Sequence, residues 1–175
     1  MAHERVISSK MVFEGRVVNL RLDTMELDGQ TFEREIVQHL GAVAMIPFDD
    51  QGNVILVRQY RAGAASELLE LPAGSLEPGE DRVDCARREL QEEIGMIPDT
   101  LEKLGEFWVA ASYTTELITI YIARGLKPSK LEADHDERIE VVTMPFEQAL
   151  HMALANEIID SKTLIGLMWA AHQRA

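Results

Sequence analysis

Three carboxylates, Glu89, Glu92 and Glu93, set the chemistry of this chain. In a helix that turns about 100° per residue they fall on one narrow arc. Acids so close repel one another and raise each other's pKa unless a positive charge sits among them. A hard divalent cation suits oxygen ligands of this kind, Mg2+ first and Mn2+ second. Arg88 lies four residues before Glu92, close enough to pair with it and hold it in place. Metals gathered on a carboxylate helix suit the attack of water on phosphorus, because they polarise phosphoryl oxygens and neutralise the leaving phosphate. The reaction class is therefore hydrolysis of a phosphoanhydride.

The flanking residues predict the helix that this arc requires. Pro78 and Gly79 mark a turn, and Val83, Ala86, Leu90 and Ile94 recur at three- and four-residue steps until Gly95 stops the run, so a helix is expected over 81–94. Ala73-Gly74 before it lets a backbone carbonyl approach the acids, since glycine adds no side-chain bulk. Strand signals occupy 5–13, 15–27 and 31–39, with Asp28-Gly29 as a hairpin turn between the last two. A second hairpin is read from 42–48 and 53–59, and further strands from 106–111, 117–123 and 139–144. Pro145 opens a helix to about 155, and Asp160 or Ser161 caps a last one to 172. The simplest packing is one central mixed sheet with the acidic helix on one face and the C-terminal helices on the other.

Composition bounds the remaining classes. With 175 residues and 46% hydrophobic content the chain is expected to form one domain with a real core. A net charge of -13 argues against a sequence-independent nucleic-acid binder. The opening Met1-Ala-His-Glu-Arg has no long apolar stretch, so neither a signal peptide nor a membrane span is indicated. Cys85 is the one cysteine, which forbids an intrachain disulfide and points to a reducing cytoplasm. No companion base is evident for it, so a packed thiol is a better reading than a nucleophile. His3, His39, His151 and His172 lack metal-ligand spacing, and Met152 and Met168 read as core.

The segment Gly74-Ser-Leu-Glu-Pro-Gly-Glu80-Asp-Arg-Val-Asp-Cys-Ala-Arg-Arg88-Glu89-Leu90-Gln-Glu92-Glu93-Ile-Gly95-Met96 matches the Nudix box, G-x5-E-x7-R-E-U-x-E-E-x-G-U with U aliphatic, at every fixed position. The chain thus resembles the Nudix hydrolases, and the resemblance implies an α/β fold: an α/β/α sandwich around a mixed β-sheet. A minimal Nudix domain begins near Leu40, leaving 1–39 as an N-terminal antiparallel β extension and 40–175 as the hydrolase domain. Such a meander is not expected to be stable alone. Over nearly all its length the chain resembles the ADP-ribose pyrophosphatase branch, which acts on nucleoside diphosphate sugars. Val57-Arg58-Gln59-Tyr60-Arg61, Leu69-Glu70-Leu71-Pro72-Ala73-Gly74 and Ile139-Glu140-Val141-Val142 carry this likeness. Members of that branch exchange the extension across a homodimer.

Carried over by position, the resemblance makes Glu89 and Glu93 metal ligands, joined by the Ala73 carbonyl, with Glu92 on the metal directly or through water. Arg58 and Arg61 become candidates for the diphosphate, since a guanidinium fork matches phosphate; a solvated strand end is the competing reading. Glu70 matches a substrate-proximal glutamate, with a structural salt bridge as its rival. Glu80 either aids the metal site or favours the helix N-terminus. In the acidic loop Glu132-Ala-Asp-His135-Asp-Glu137-Arg138, Glu137 matches a glutamate that binds metal or activates water in some members. His135 stands where others have a second carboxylate, and histidine is a rival base near neutral pH. The branch usually has Ser-Pro-Gly about fifteen residues past the box; here the matching stretch is Ala110-Ala111-Ser112-Tyr113-Thr114-Thr115-Glu116, so a differently shaped loop is expected. Tyr113 or Trp108 could stack on a base or sugar, and core packing competes for Trp108.

These readings converge on a Mg2+-dependent hydrolase of nucleoside diphosphate sugars, with ADP-ribose first and GDP-mannose, another dinucleotide or an oxidised nucleotide as alternatives. A non-catalytic nucleotide-sugar sensor is the rival from another class. Such a sensor is expected to lose box glutamates, and this chain keeps them.

Overall fold

The computed structural model describes residues 3–132 and 138–174. The chain divides into two compact units, one of Met1–Gly41 with Trp108–Leu117, the other of Ala42–Phe107 with Ile118–Ala175.

The first unit is built on an antiparallel meander, β1 (Arg5–Glu14), β2 (Asn19–Leu27) and β3 (Gln30–Gln38). Asp28 and Gly29 join the last two strands with φ of 52° and 78°. Positive φ at both central residues is what a two-residue hairpin matching strand twist demands, which is why Asp-Gly sits there. β1 is exposed along its length, and Val6, Ile7, Val12 and Phe13 face solvent. The 110–116 turn is tied to the end of β3: Val37 N–H donates to the Tyr113 carbonyl at 2.8 Å and Thr115 N–H to the Val37 carbonyl at 3.0 Å. Tyr113 and Trp108 are both exposed, so core packing of Trp108 is not observed.

The second unit holds the predicted helix, α1 (Arg82–Glu93), and two sheets. The mixed sheet runs β7 (Ala73–Ser75), β4 (Ala42–Pro47), β9 (Leu117–Pro128), β8 (Met96–Trp108), with β4 parallel to β9 and antiparallel to β7. β4 is buried on both faces. Val43 and Met45, with Tyr121 and Ala123 of β9, pack on Cys85, Ala86 and Leu90 of α1. Alternate residues Ala44 and Ile46, with Ile120 and Ile122, face a larger core. That core is closed by Phe146 and Ala149 of α2 (Phe146–Leu154) and Leu167 of α3 (Ser161–Arg174). Each fully buried aliphatic side chain contributes roughly 1.5–3 kcal/mol, so this two-faced strand anchors the α/β/α layering.

Two expectations need correction. The strands do not form a single central sheet, because β10 (Glu140–Pro145), β5 (Asn53–Arg61) and β6 (Ser66–Glu70) make a separate antiparallel one. Nor do β4 and β5 form a regular hairpin. They share only the Phe48–Val54 bridge before entering different sheets. β4 already has neighbours on both edges, which leaves no edge for β5. No described helix is long and apolar enough to cross a membrane.

Candidate active site

The acids stand on α1 because both ends of the helix are fixed. Asp81 caps the N-terminus, its carboxylate accepting from Val83 N–H at 2.8 Å. Gly95 ends the helix at φ 68°, a conformation that costs glycine little. One arc of α1 is buried, and it mixes apolar Ala86 and Leu90 with Glu89 and Glu93, only 9% and 7% exposed. Buried carboxylates require compensating charge or donors.

Arg88 supplies much of that compensation. Its Nη1 donates to Glu89 Oε1 at 2.6 Å and Glu92 Oε2 at 2.9 Å, while Nε and Nη2 grip both oxygens of Glu80 at 2.9 and 3.0 Å. Nη2 also reaches the Ser75 carbonyl at 3.2 Å. Glu80 therefore anchors the arginine that orients the other acids. The Arg88 guanidinium holds the Glu80 carboxyl down at about 2, and the carboxylates around it raise the arginine. The pairing of Arg88 with Glu92 expected from their spacing is present, and the bonds to Glu89 and Glu80 add to it.

β7 sits against the same arc. Ala73 N–H donates to Glu93 Oε2 at 2.9 Å. A β-carbon on Gly74 would lie 1.9 Å from the Glu89 carboxyl, so glycine alone leaves room for that carboxylate. Cys85, beneath, is fully buried; burial first, then the Glu89 charge, pushes its thiol up, which removes it as a nucleophile.

Among the described residues no three His, Cys, Asp or Glu side chains already stand as a metal cage. The donors nonetheless fit a hard divalent cation, being carboxylate oxygens largely withdrawn from water and at present drawn onto a guanidinium.

A cleft of about 320 Å³ opens beside these acids, lined by Glu92, Glu93, Lys130, Ile139 and Val141. The chain leaving β9 is tied to the end of α1: Ser129 N–H donates to the Gly95 carbonyl at 2.9 Å and Leu131 N–H to the Gln91 carbonyl at 3.2 Å. These bonds bring Lys130 to the cleft. A second hollow of about 300 Å³, also lined by Ile139, has Arg58, Glu67, Arg138 and Glu140 on its walls. Arg58 pairs loosely there with Glu140 at 3.3 Å.

Arg61 and Glu70 are found gripping each other, Nε to Oε1 at 2.8 Å and Nη2 to Oε2 at 2.7 Å. Glu70 is fully buried and also accepts from Lys162. Burial pushes its carboxyl up, but Arg61 and Lys162 outweigh burial and hold it below the ordinary range. Arg61 is raised, chiefly by Glu70, with a smaller contribution from the charge of Glu93. Glu137 and His135 lie outside the described residues. Sequence reasoning gave no role at the site to Lys130, Arg138 or Lys162, and to Asp160 only that of a cap for α3, which it is, its Oδ2 accepting from Thr163 N–H. The first two flank the acidic loop, a basic border that could have drawn notice; Lys162 in Asp160-Ser-Lys-Thr163 reads as an ordinary first-turn lysine.

Comparison with known proteins identifies the family. The model of the NUDIX domain family matches residues 38–164. A "Methanol dehydrogenase activator" of Bacillus methanolicus is 38% identical, the match covering 98% of this chain and 95% of that protein. An "ADP-ribose pyrophosphatase" of Bacillus subtilis (strain 168) is 35% identical over 95% of this chain and 91% of its own length. Among solved structures, that of an "ADP compounds hydrolase" superposes with a TM-score of 0.85 at 24% identity, covering 97% of this chain and 93% of that one, a likeness of fold. Because that family model matches residues 38–164, well over half of its length, the chain belongs to the NUDIX domain family.

Proposed function

We propose that the chain is a pyrophosphohydrolase that splits the diphosphate of a nucleoside diphosphate sugar, with ADP-ribose as leading substrate and AMP and ribose 5-phosphate as products. The observation that carries this reading is the α1 acid set, Glu89, Glu92 and Glu93, fixed by Arg88, Ala73 N–H and the space at Gly74. Likeness to the Bacillus subtilis pyrophosphatase along 95% of the chain supports the substrate class.

Each residue then has a task. Arg61, turned by Glu70, and Arg58 at the neighbouring hollow bind the diphosphate through their planar N–H forks. Arg88 holds the Glu89 and Glu92 carboxylates on one side of the helix, and Ala73 N–H holds Glu93. Glu89, Glu92 and Glu93, with the Ala73 carbonyl and loop residue Glu137, would hold Mg2+ or Mn2+, which when bound polarises phosphoryl oxygens and lowers the pKa of the attacking water. Glu137 is the favoured group for receiving the proton of that water, with His135 as its rival. The exposed apolar residues of β1 support an extension, residues 1–39, that is exchanged within a homodimer. A single buried cysteine supports a cytoplasmic location.

The test is incubation of purified protein and Mg2+ with ADP-ribose, GDP-mannose, UDP-glucose, NADH and 8-oxo-dGTP, with products resolved by mass. Fastest formation of AMP and ribose 5-phosphate from ADP-ribose is expected. Faster cleavage of another member reassigns the substrate, and binding without cleavage replaces the enzyme by a sensor. The name of the Bacillus methanolicus relative favours a second reading, stimulation of a dehydrogenase. Adding the chain to a methanol dehydrogenase and finding no change in its rate would remove it.

A further inference from the structure

Two charges, the buried Lys162 and the half-buried Asp160, have no place in the chemistry above. Lys162 is 9% exposed in the first turn of α3, and its Nζ donates to Glu70 and to Asp160 Oδ1 at 3.0 Å. Asp160 is itself locked, its Oδ2 accepting from Thr163 N–H at 3.0 Å and Thr163 Oγ1–H at 2.6 Å. Thr163 Oγ1 in turn accepts from Leu71 N–H at 2.8 Å. The start of α3 thus holds Glu70 twice, through the carboxylate and through the backbone of the next residue.

Packing alone does not call for this arrangement. Buried ion networks are often no more stable than apolar side chains of the same volume. Arg61 and Lys162 balance Glu70 and Asp160, so the group is neutral as a whole. What it fixes is a direction. Both oxygens of Glu70 engage Nε and Nη2 of Arg61, which sets the guanidinium plane and leaves the remaining N–H donors of the fork for another anion. Arg61 is the one member with a substantially open side chain, 40% exposed against 1% for Glu70 and 11% for Lys162. Because Lys162 shares the charge of Glu70, less of the Arg61 charge is cancelled from behind.

We propose that Lys162, braced by Asp160, is a positioning residue that fixes Glu70 so that Arg61 presents its guanidinium fork to the diphosphate of the substrate. This rests on the nucleoside diphosphate sugar reading. Its effect belongs to binding more than to the chemical step, since Lys162 touches neither the α1 acids nor the cleft.

Wild type, Lys162→Met and Asp160→Asn are compared in ADP-ribose hydrolysis and in calorimetric binding of ADP-ribose with EDTA present. A displaced guanidinium is expected to raise KM and Kd together by about tenfold in Lys162→Met, with kcat within about twofold. Asp160→Asn, which keeps an oxygen for the α3 cap, is expected to raise both by about threefold. Unchanged KM and Kd in a folded Lys162→Met overturn the proposal, as does a fall in kcat with KM unmoved. Should Lys162→Met not fold, unchanged constants in Asp160→Asn overturn it instead. Wild type that neither binds nor cleaves ADP-ribose defeats the substrate reading, and the same variants are then decided by their Kd for inorganic pyrophosphate.

Discussion

Replacing Gly74 by alanine separates the function of the site from the stability of the fold. The new β-carbon would lie 1.9 Å from Glu89 Cδ and Oε1 and 2.4 Å from Oε2. Ordinary contact for a β-carbon begins at 3.4 Å, so the carboxyl group must retreat by roughly 1.5 Å. The obstacle is the far end of a flexible side chain, and the backbone of Gly74 is not in the left-handed region. Folding therefore loses little, within about 1 kcal/mol, part of it returned by the smaller backbone entropy of alanine in the unfolded chain. The site loses much more. Glu89 must leave its 2.6 Å bond to Arg88, and a misplacement of about 1 Å in a reacting constellation costs on the order of 100-fold in rate. The assay is kcat/KM for ADP-ribose across a Mg2+ titration, beside a thermal melt. A fall of about 100-fold with Tm changed by less than about 3 °C is expected. Turnover within a few-fold of wild type at all Mg2+ concentrations would refute the claim that Gly74 makes room for a working Glu89.

Three further outcomes are expected. Glu80 titrates at about 2 against an ordinary 4.5, so its pairing stabilises the fold fully above about pH 4.5 and is lost as pH falls toward 2; the stability gap between wild type and Glu80→Gln, followed by urea unfolding, should close over that window and stay constant from pH 5 to 7. Leu90, fully buried between α1 and the mixed sheet, should cost about 2–5 kcal/mol as alanine in the same measurement. If residues 1–39 are exchanged in a homodimer, light scattering should give a dimer for the whole chain and a monomer for a chain beginning at Leu40, and a dimer in both would reject the exchange.

What could be read from the sequence was local. α1 follows from its apolar period, from the Pro78-Gly79 turn before it and from Gly95 at its stop, and the Asp28-Gly29 turn from backbone chemistry that few residue types satisfy. β8 was harder. Pro98 inside Met96–Trp108 argues against a strand, yet β8 is the last strand of the mixed sheet, where a missing N–H is tolerated. β6 was hidden because Glu67 and Glu70 break the apolar alternation, and the buried Glu70 is paired with Arg61 and with Lys162, the second of them far along the chain. For the same reason the acids and Arg88, neighbours on one helix, were legible in advance, whereas the support of Arg61 by α3 needed the tertiary structure.

The central claim is that the α1 carboxylates perform the hydrolysis. It is tested most directly by Glu93→Gln, in which the oxygen that accepts from Ala73 N–H is kept and the charge is removed. Turnover of ADP-ribose with Mg2+ should fall by about 1,000-fold or more while the melting curve stays close to wild type. Near-normal turnover in this variant would contradict the account.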